Sequence, residues 1–204
     1  MTRQLNIRNS VVPLSFPRTR LCHNSLRTSF RTNGAKRSEM MIMMQQYKLI
    51  EASLEDIPIL VQHYRRMFEE ILDSRNLELD EQKLKKMDVS YRNKLNEEFR
   101  TGICKAWVIK EGDQIAASGA ISITSMVPNP DDSSYYIGYL HSIFTENQFR
   151  KRGLAERVVR CILDYCKSNN INRVLLNTSE AGRSVYDKIG FINSDNTMIK
   201  NLKT

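Results

Sequence analysis

Hydrophobic positions become regular from Tyr47 onward and predict strands alternating with helices. Residues 47–50 favour a first strand. Ser53 and the acidic residues after it are typical of a helix start, with Pro58 tolerated in the first turn. The apolar residues that follow at helical spacing are Leu60, Val61, Tyr64, Met67, Phe68, Ile71 and Leu72.

The middle of the chain predicts a second helix and then a hairpin. Residues 80–99 are strongly charged and favour a helix, whereas 106–110 and 115–124 favour two strands joined by the turn 111–113. Residues 126–134 contain two prolines and two aspartates and predict a loop.

The last third predicts strand, turn, helix, strand and helix in that order. Residues 139–145 suit a strand that ends inside a sheet. A helix follows, with apolar residues every four positions at Leu154, Val158, Ile162 and Cys166. The continuous apolar run 174–176 is typical of a parallel strand covered on both faces.

The turn at 150–155 carries the most specific chemistry. Its sequence follows the pattern R-x-x-G-x-A, with Gly153 just before the predicted helix. A helix start presents unpaired backbone N–H groups at the positive end of the helix dipole, and a phosphate is a natural occupant. Neither the G-x-G-x-x-G of a dinucleotide fold nor the G-K-[ST] of a P-loop is present.

A second motif lies thirty residues downstream, where 181–191 predicts a short helix that contains Tyr186 and ends at Gly190-Phe191. Together the two motifs resemble the GNAT superfamily of acyl-CoA-dependent N-acetyltransferases over about 139–191. The resemblance implies an α/β GNAT fold for 45–204, with a central mixed antiparallel and parallel sheet flanked by helices.

The resemblance also implies how acetyl-CoA, the cosubstrate, is held. The turn would bind its pyrophosphate, and the strand before the turn would align its pantetheine arm through backbone groups. The cosubstrate-binding residues expected on this basis are Ile143, Phe144, Thr145, Arg150, Lys151, Arg152, Gly153, Leu154, Ala155 and Ser184. The alternative for the three basic residues of the turn is an ordinary solvated surface.

Two residues are expected to move protons. Tyr186 is the candidate acid for the departing thiolate, because a phenol is protonated at neutral pH. His141 is the candidate base, because it stands two residues before Ile143 and is expected on the same face of the strand. Glu146 is a lesser candidate base. A packed aromatic and a structural histidine are the alternatives for Tyr186 and His141.

The resemblance predicts an enzyme that acetylates a primary amine, and we expect a small-molecule acceptor. A protein amino-terminus or a lysine is an alternative acceptor, and a CoA-binding domain without turnover is an alternative from another class. Carboxylates and aromatics suit a cationic amine. The candidates for acceptor recognition are Tyr64, Phe68, Glu69, Glu70, Asp131 and Asp132.

The net charge of +8 comes from the first 38 residues, which hold eight of the 31 basic residues and no acidic one. The rest of the chain is formally neutral, with 23 residues of each sign. We therefore expect 1–44 to be a basic, poorly ordered leader. A transit peptide, a nucleic-acid arm and a translation start at one of Met40, Met41, Met43 or Met44 are three interpretations of it.

Other partners and cofactors find little support in the sequence. The four cysteines and three histidines show no metal-site spacing, and no apolar stretch approaches a membrane span. The neutral body argues against nucleic acid as a partner. We expect a cytoplasmic protein, or an organellar one if the leader is a transit peptide, and a homodimer is left open.

Overall fold

The computed structural model describes residues 46–128, 130, 132–194 and 200. The expected leader, 1–44, lies outside this part of the chain. The elements are β1 (Lys48–Glu51), α1 (Ile57–Ser74), α2 (Glu81–Thr101), β2 (Cys104–Glu111), β3 (Gln114–Ser125), β4 (Tyr136–Thr145), α3 (Leu154–Ser168), β5 (Arg173–Leu176) and α4 (Glu180–Ile189). Single 3₁₀ turns precede α1 and follow β4.

The strands form one five-stranded sheet in the order β1-β2-β3-β4-β5. The first four strands pair antiparallel with their neighbours, whereas β4 and β5 pair parallel. The mixed sheet predicted from the sequence is therefore confirmed. Each strand and helix expected between 47 and 189 is present, and their ends differ by a few residues.

Helices cover both faces of the sheet, and each face has its own core. One core packs α1 and α2 against the sheet through residues such as Leu60, Leu95 and Val108. The other packs α3 on the opposite face through residues such as Val158 and Ile162. The amphipathic spacing of α1 and α3 produces these two layers, because each helix buries one stripe.

A bulge interrupts β4 at Ser142, which has a positive φ of 57°. The register with β3 shifts at this point, so that two residues of β4 oppose Gly119. The expectation that His141 and Ile143 share a face is wrong. His141 contacts Tyr91 of α2, whereas a side chain on Gly119 would collide with Ile143 at 2.3 Å on the α3 face. An extra residue in a bulge reverses the alternation of side chains.

β5 is shorter than β4 and leaves the end of β4 free. Pairing stops at Leu140 and Leu176, while β4 continues to Thr145. Residues 141–145 thus have no β5 partner within the described residues. The expectation that β5 is covered on both faces is also wrong, because Leu175 is 42% exposed. Its flanking residues are half-buried.

Candidate active site

A cleft of about 1120 Å³ opens where β4 and β5 part. Its walls are the carboxyl-terminal half of α1, the end of β4, the turn that begins α3, and the start of α4. The lining residues include Met67, Glu70, Ile71, Ser74, Arg75, Ile143, Phe144, Thr145, Arg150, Lys151, Gly153, Leu154, Ala155, Ser184 and Tyr186. The structure therefore brings Tyr186 and nine of the ten expected cosubstrate residues together.

The turn before α3 has the backbone of an anion site. Lys151 and Gly153 both have positive φ, at 61° and 73°. No side chain caps the start of α3, whose first N–H groups lack partners inside the helix. A Cβ on Gly153 would have no heavy atom within 4 Å, so the turn faces open space. Phosphate oxygens could approach these N–H groups closely.

Arg152 departs from the expectation for the turn. Its guanidinium lies over the ring of Phe149 and donates to the hydroxyl of Tyr47 and to the carbonyl of Gln148. These contacts engage both terminal nitrogens of the guanidinium. Arg152 is not among the residues that line the cleft, and its part in binding the cosubstrate stays a prediction.

Arg150, in contrast, reaches into the cleft and is held on three sides. It donates to both carboxylate oxygens of Glu70, at 2.6 and 2.8 Å, and from Nε to the carbonyl of Thr145 at 2.9 Å. Its guanidinium lies 5.6 Å from the centre of the Phe144 ring. The pair of Arg150 and Glu70 connects the turn to α1.

Tyr186 lies on α4 and lines the cleft. Its ring packs edge-on against Phe191, with the ring centres 5.6 Å apart. Burial raises the pKa of Tyr186 to about 12, so its hydroxyl keeps the proton at neutral pH. The residue is thus both a cleft residue and a packed aromatic.

His141 does not line the cleft. Its Nε2 lies 3.0 Å from the Ser122 hydroxyl and its Nδ1 lies 2.9 Å from the Ser142 hydroxyl. Burial, with a smaller effect of Lys94, lowers the pKa of His141 to about 3. The imidazole is therefore neutral over the physiological range and both nitrogens have hydrogen-bonding neighbours on the α2 side of the sheet.

A buried group at the end of β4 was missed by the sequence reasoning. His63 of α1 is fully buried, and its Nδ1 lies 2.8 Å from the Ser118 hydroxyl. Its Nε2 lies 3.2 Å from Glu146, which also pairs with Arg66. His63 lies on the core-facing stripe of α1, so its helical spacing in the sequence could have indicated that it is buried. Because Glu146 is held in this group, it is not among the residues that line the cleft.

The candidates for acceptor recognition lie in different parts of the structure. Glu70 lines the cleft, but Glu69 points away and pairs with Arg65 at 2.8 Å. Tyr64 stacks on Tyr91 outside the cleft. Phe68 contacts Tyr64, and Asp132 is held by Arg173 at 2.9 Å. Asp131 lies outside the described residues.

Within the described part of the chain, no three His, Cys, Asp or Glu side chains are placed to hold a metal ion. In the same residues, no helix combines the length and apolar character needed to cross a bilayer.

Comparison with known proteins gives consistent matches. A family model described as an acetyltransferase (GNAT) domain matches residues 76–202. Glucosamine 6-phosphate N-acetyltransferase of Arabidopsis thaliana is 28% identical over 87 residues, which are 43% of this chain and 56% of that protein. The aligned region thus spans little more than half of that relative.

Solved structures share the fold over most of their length. A protein of Clostridium acetobutylicum described as a predicted acetyltransferase, crystallised with acetyl-CoA, has a TM-score of 0.69 and 25% identity, with 76% of this chain and 96% of that chain covered. A GCN5-related N-acetyltransferase of Ralstonia eutropha has a TM-score of 0.69 at 20% identity, covering 76% and 98%. The Arabidopsis thaliana glucosamine-6-phosphate N-acetyltransferase has a TM-score of 0.51 at 22% identity, covering 77% and 99%.

Proposed function

Because the chain belongs to the GNAT acetyltransferase family, we propose that it moves the acetyl group of acetyl-CoA to a primary amine of a small molecule. The observation that carries the proposal is the cleft between β4 and β5. It joins a turn whose backbone suits an anion, an unpaired strand end and a protonated phenol in one space.

The cleft fits the cosubstrate in charge and in backbone geometry. The N–H groups at the start of α3, together with Lys151 and Arg150, would hold the pyrophosphate. The free edge of β4 at 141–145 would bind the pantetheine arm as an added strand binds. Acetyl-CoA supplies an activated thioester when it is bound.

Tyr186 is proposed to donate the proton that the leaving thiolate needs. Its pKa of about 12 ensures that the phenol is protonated before the reaction. The packing against Phe191 fixes the ring, which reduces the entropy lost in orienting the hydroxyl. His141 stays a candidate base, but its burial and its place outside the cleft weaken that candidacy.

A small acceptor is supported by the Arabidopsis thaliana relative, whose name describes transfer to an amino sugar phosphate. Within the cleft, Met67 and Ile71 offer apolar contact, and Glu70 offers a carboxylate. A protein amino-terminus or lysine remains the alternative acceptor. A CoA-binding domain without turnover would need the turn but not Tyr186.

Acetylation with matched acceptor sets distinguishes these functions. Acetyl-CoA is incubated with a panel of small amines, including glucosamine 6-phosphate, and with peptides that carry a free amino-terminus or a lysine. Free thiol is detected, and products are identified by mass spectrometry. We expect thiol release that depends on a small amine. Thiol release only with peptides would change the proposed acceptor from a small molecule to a protein. Binding of CoA without thiol release for any acceptor would overturn the enzyme assignment.

A further inference from the structure

The backbone of Ser142 has a conformation that a serine rarely adopts unless its surroundings hold it there. Its φ of 57° lies in the left-handed region, which is unfavourable for a residue other than glycine. Ser142 is also buried, with 7% of its surface exposed. Contacts within the fold must therefore stabilise the bulge that Ser142 forms.

Tyr91 of α2 supplies one of these contacts. Its hydroxyl donates a hydrogen bond to Ser142 Oγ at 2.8 Å. The Tyr91 ring is buried and stacks on Tyr64 of α1, with the ring centres 4.1 Å apart. Two helices thus hold the hydroxyl in place, and the hydroxyl in turn binds Ser142.

Ser142 belongs to a chain of hydrogen bonds that runs in one direction. Ser122 donates to Glu98 at 2.9 Å. Because a serine has one hydroxyl proton, His141 Nε2 must be the donor to Ser122, at 3.0 Å, and His141 Nδ1 is left as an acceptor. Ser142 donates to that Nδ1 at 2.9 Å and accepts from Tyr91. With Ser142 at the bulge, every donor from Tyr91 to Glu98 has its acceptor.

The bulge determines which side chains of β4 face the cleft. Ile143 packs on the α3 side near Val158 and lines the cleft. Phe144, one residue later, contacts His63 of α1, with the ring centres 5.0 Å apart. Without the extra residue of the bulge, the alternation after Ser142 would be reversed and Ile143 would face α2. The end of β4 would then present the wrong residues to the cleft.

We propose that Tyr91 is a positioning residue of the cleft: its hydrogen bond to Ser142 holds the bulge, and the bulge sets the register in which residues 143–145 meet the cosubstrate. The inference rests on the proposed function, because that function assigns the end of β4 to cosubstrate binding. No residue of α2 lines the cleft, so Tyr91 acts only through Ser142.

Four proteins separate this role from ordinary packing: the wild type, Tyr91→Phe, Ser142→Gly and the double variant. Tyr91→Phe keeps the ring that stacks on Tyr64 but loses the bond to Ser142. In calorimetric titrations it should bind CoA about three- to tenfold more weakly, because the competent register is less populated. Glycine adopts a positive φ without a bonded side chain. The double variant should therefore bind CoA as tightly as Ser142→Gly does.

The direction of Ile143 reports the register without any ligand. A Cβ on Gly119 would lie 2.3 Å from Ile143 Cδ1 and 2.7 Å from Val158 Cγ1, so these two methyl groups are close together. The nuclear Overhauser effect between them should weaken in Tyr91→Phe and return in the double variant. Tyr165→Phe removes a buried hydroxyl from the α3 core and should leave this effect and the CoA affinity unchanged.

Two results would overturn the proposal. A Tyr91→Phe protein with wild-type CoA affinity and an unchanged Ile143 signal would make Tyr91 a packing residue only. A double variant that binds CoA more weakly than Ser142→Gly would show that the Tyr91 hydroxyl acts somewhere other than on Ser142. If the wild type does not bind CoA, the proposed function fails, while the Ile143 signal still decides whether Tyr91 holds the bulge.

Discussion

His141 and Ile143 lie on opposite faces of the sheet, although one residue separates them. The intervening Ser142 has a φ of 57° and forms the bulge of β4 opposite Gly119. Ile143 consequently lines the cleft, whereas His141 is enclosed beside Tyr91 and Ser122. A bulge at this place directs the side chain of Ile143 to the cleft and that of His141 to the α2 side of the sheet.

The pH dependence of catalysis follows from this arrangement. His141 has a pKa of about 3, so it does not titrate between pH 5 and 8. We expect His141→Gln to keep the acidic limb of the kcat/KM profile above pH 5 and to lose activity only through altered packing. Steady-state rates measured across that range check this. Disappearance of the limb in the variant would identify His141 as the base.

Removal of the Tyr186 hydroxyl should slow the chemical step. Tyr186→Phe retains the ring that packs on Phe191 but cannot protonate a thiolate, so kcat should fall roughly 10²–10⁴-fold while CoA binding persists. Tyr165→Phe is the control, because that hydroxyl is buried in the α3 core and does not line the cleft. A Tyr186→Phe enzyme at wild-type rate, with an acceptor for which chemistry limits turnover, would remove Tyr186 from the mechanism.

The buried histidine of α1 should make the fold sensitive to acid. Burial, aided by the positive charge of Arg66, lowers the pKa of His63 from 6.5 to about 4. At pH values between these two pKa values, His63 is mostly protonated in the unfolded chain and mostly neutral in the folded chain. The free energy of unfolding should therefore decrease as the pH falls, by at most about 1.4 kcal/mol per pH unit from this residue.

Denaturation by urea at several pH values measures that slope. His63→Asn keeps a group able to bond Ser118 but cannot take up the proton. Its stability should fall less steeply than that of the wild type between pH 6.5 and 4, whatever its stability at neutral pH. Equal slopes for the two proteins would show that His63 is not the group that resists protonation.

The sequence predicted those parts of the site that depend on local chemistry. The turn at 150–155 needs a glycine before a helix, and Tyr186 belongs to a short helix that ends at Gly190. Both features consist of consecutive residues, so they can be recognised in the sequence alone. The strands and helices followed from periodicity, because each element buries one face or stripe.

The remaining features depend on contacts between distant residues. No glycine or proline of β4 stands at the bulge, where Ser142 takes the positive φ. The direction of Arg152 is determined by Tyr47, and the exposure of Leu175 follows from the position of β5 in the sheet. The pairing of Glu70 with Arg150 joins residues 80 apart in the chain. Alternation and spacing carry no information about such partners.

Calorimetric titration of acetyl-CoA into a variant of the turn tests most directly whether this cleft binds the cosubstrate. Gly153→Val places a β-branched side chain in the open space before the turn, where phosphates would approach, and Gly112→Val is the control. Gly112 also has a positive φ, 57°, and open surroundings, but it lies in the β2–β3 hairpin. Both variants therefore carry similar backbone strain. We predict that Gly153→Val loses acetyl-CoA binding while Gly112→Val binds like the wild type, and equal affinity in all three proteins would contradict the account.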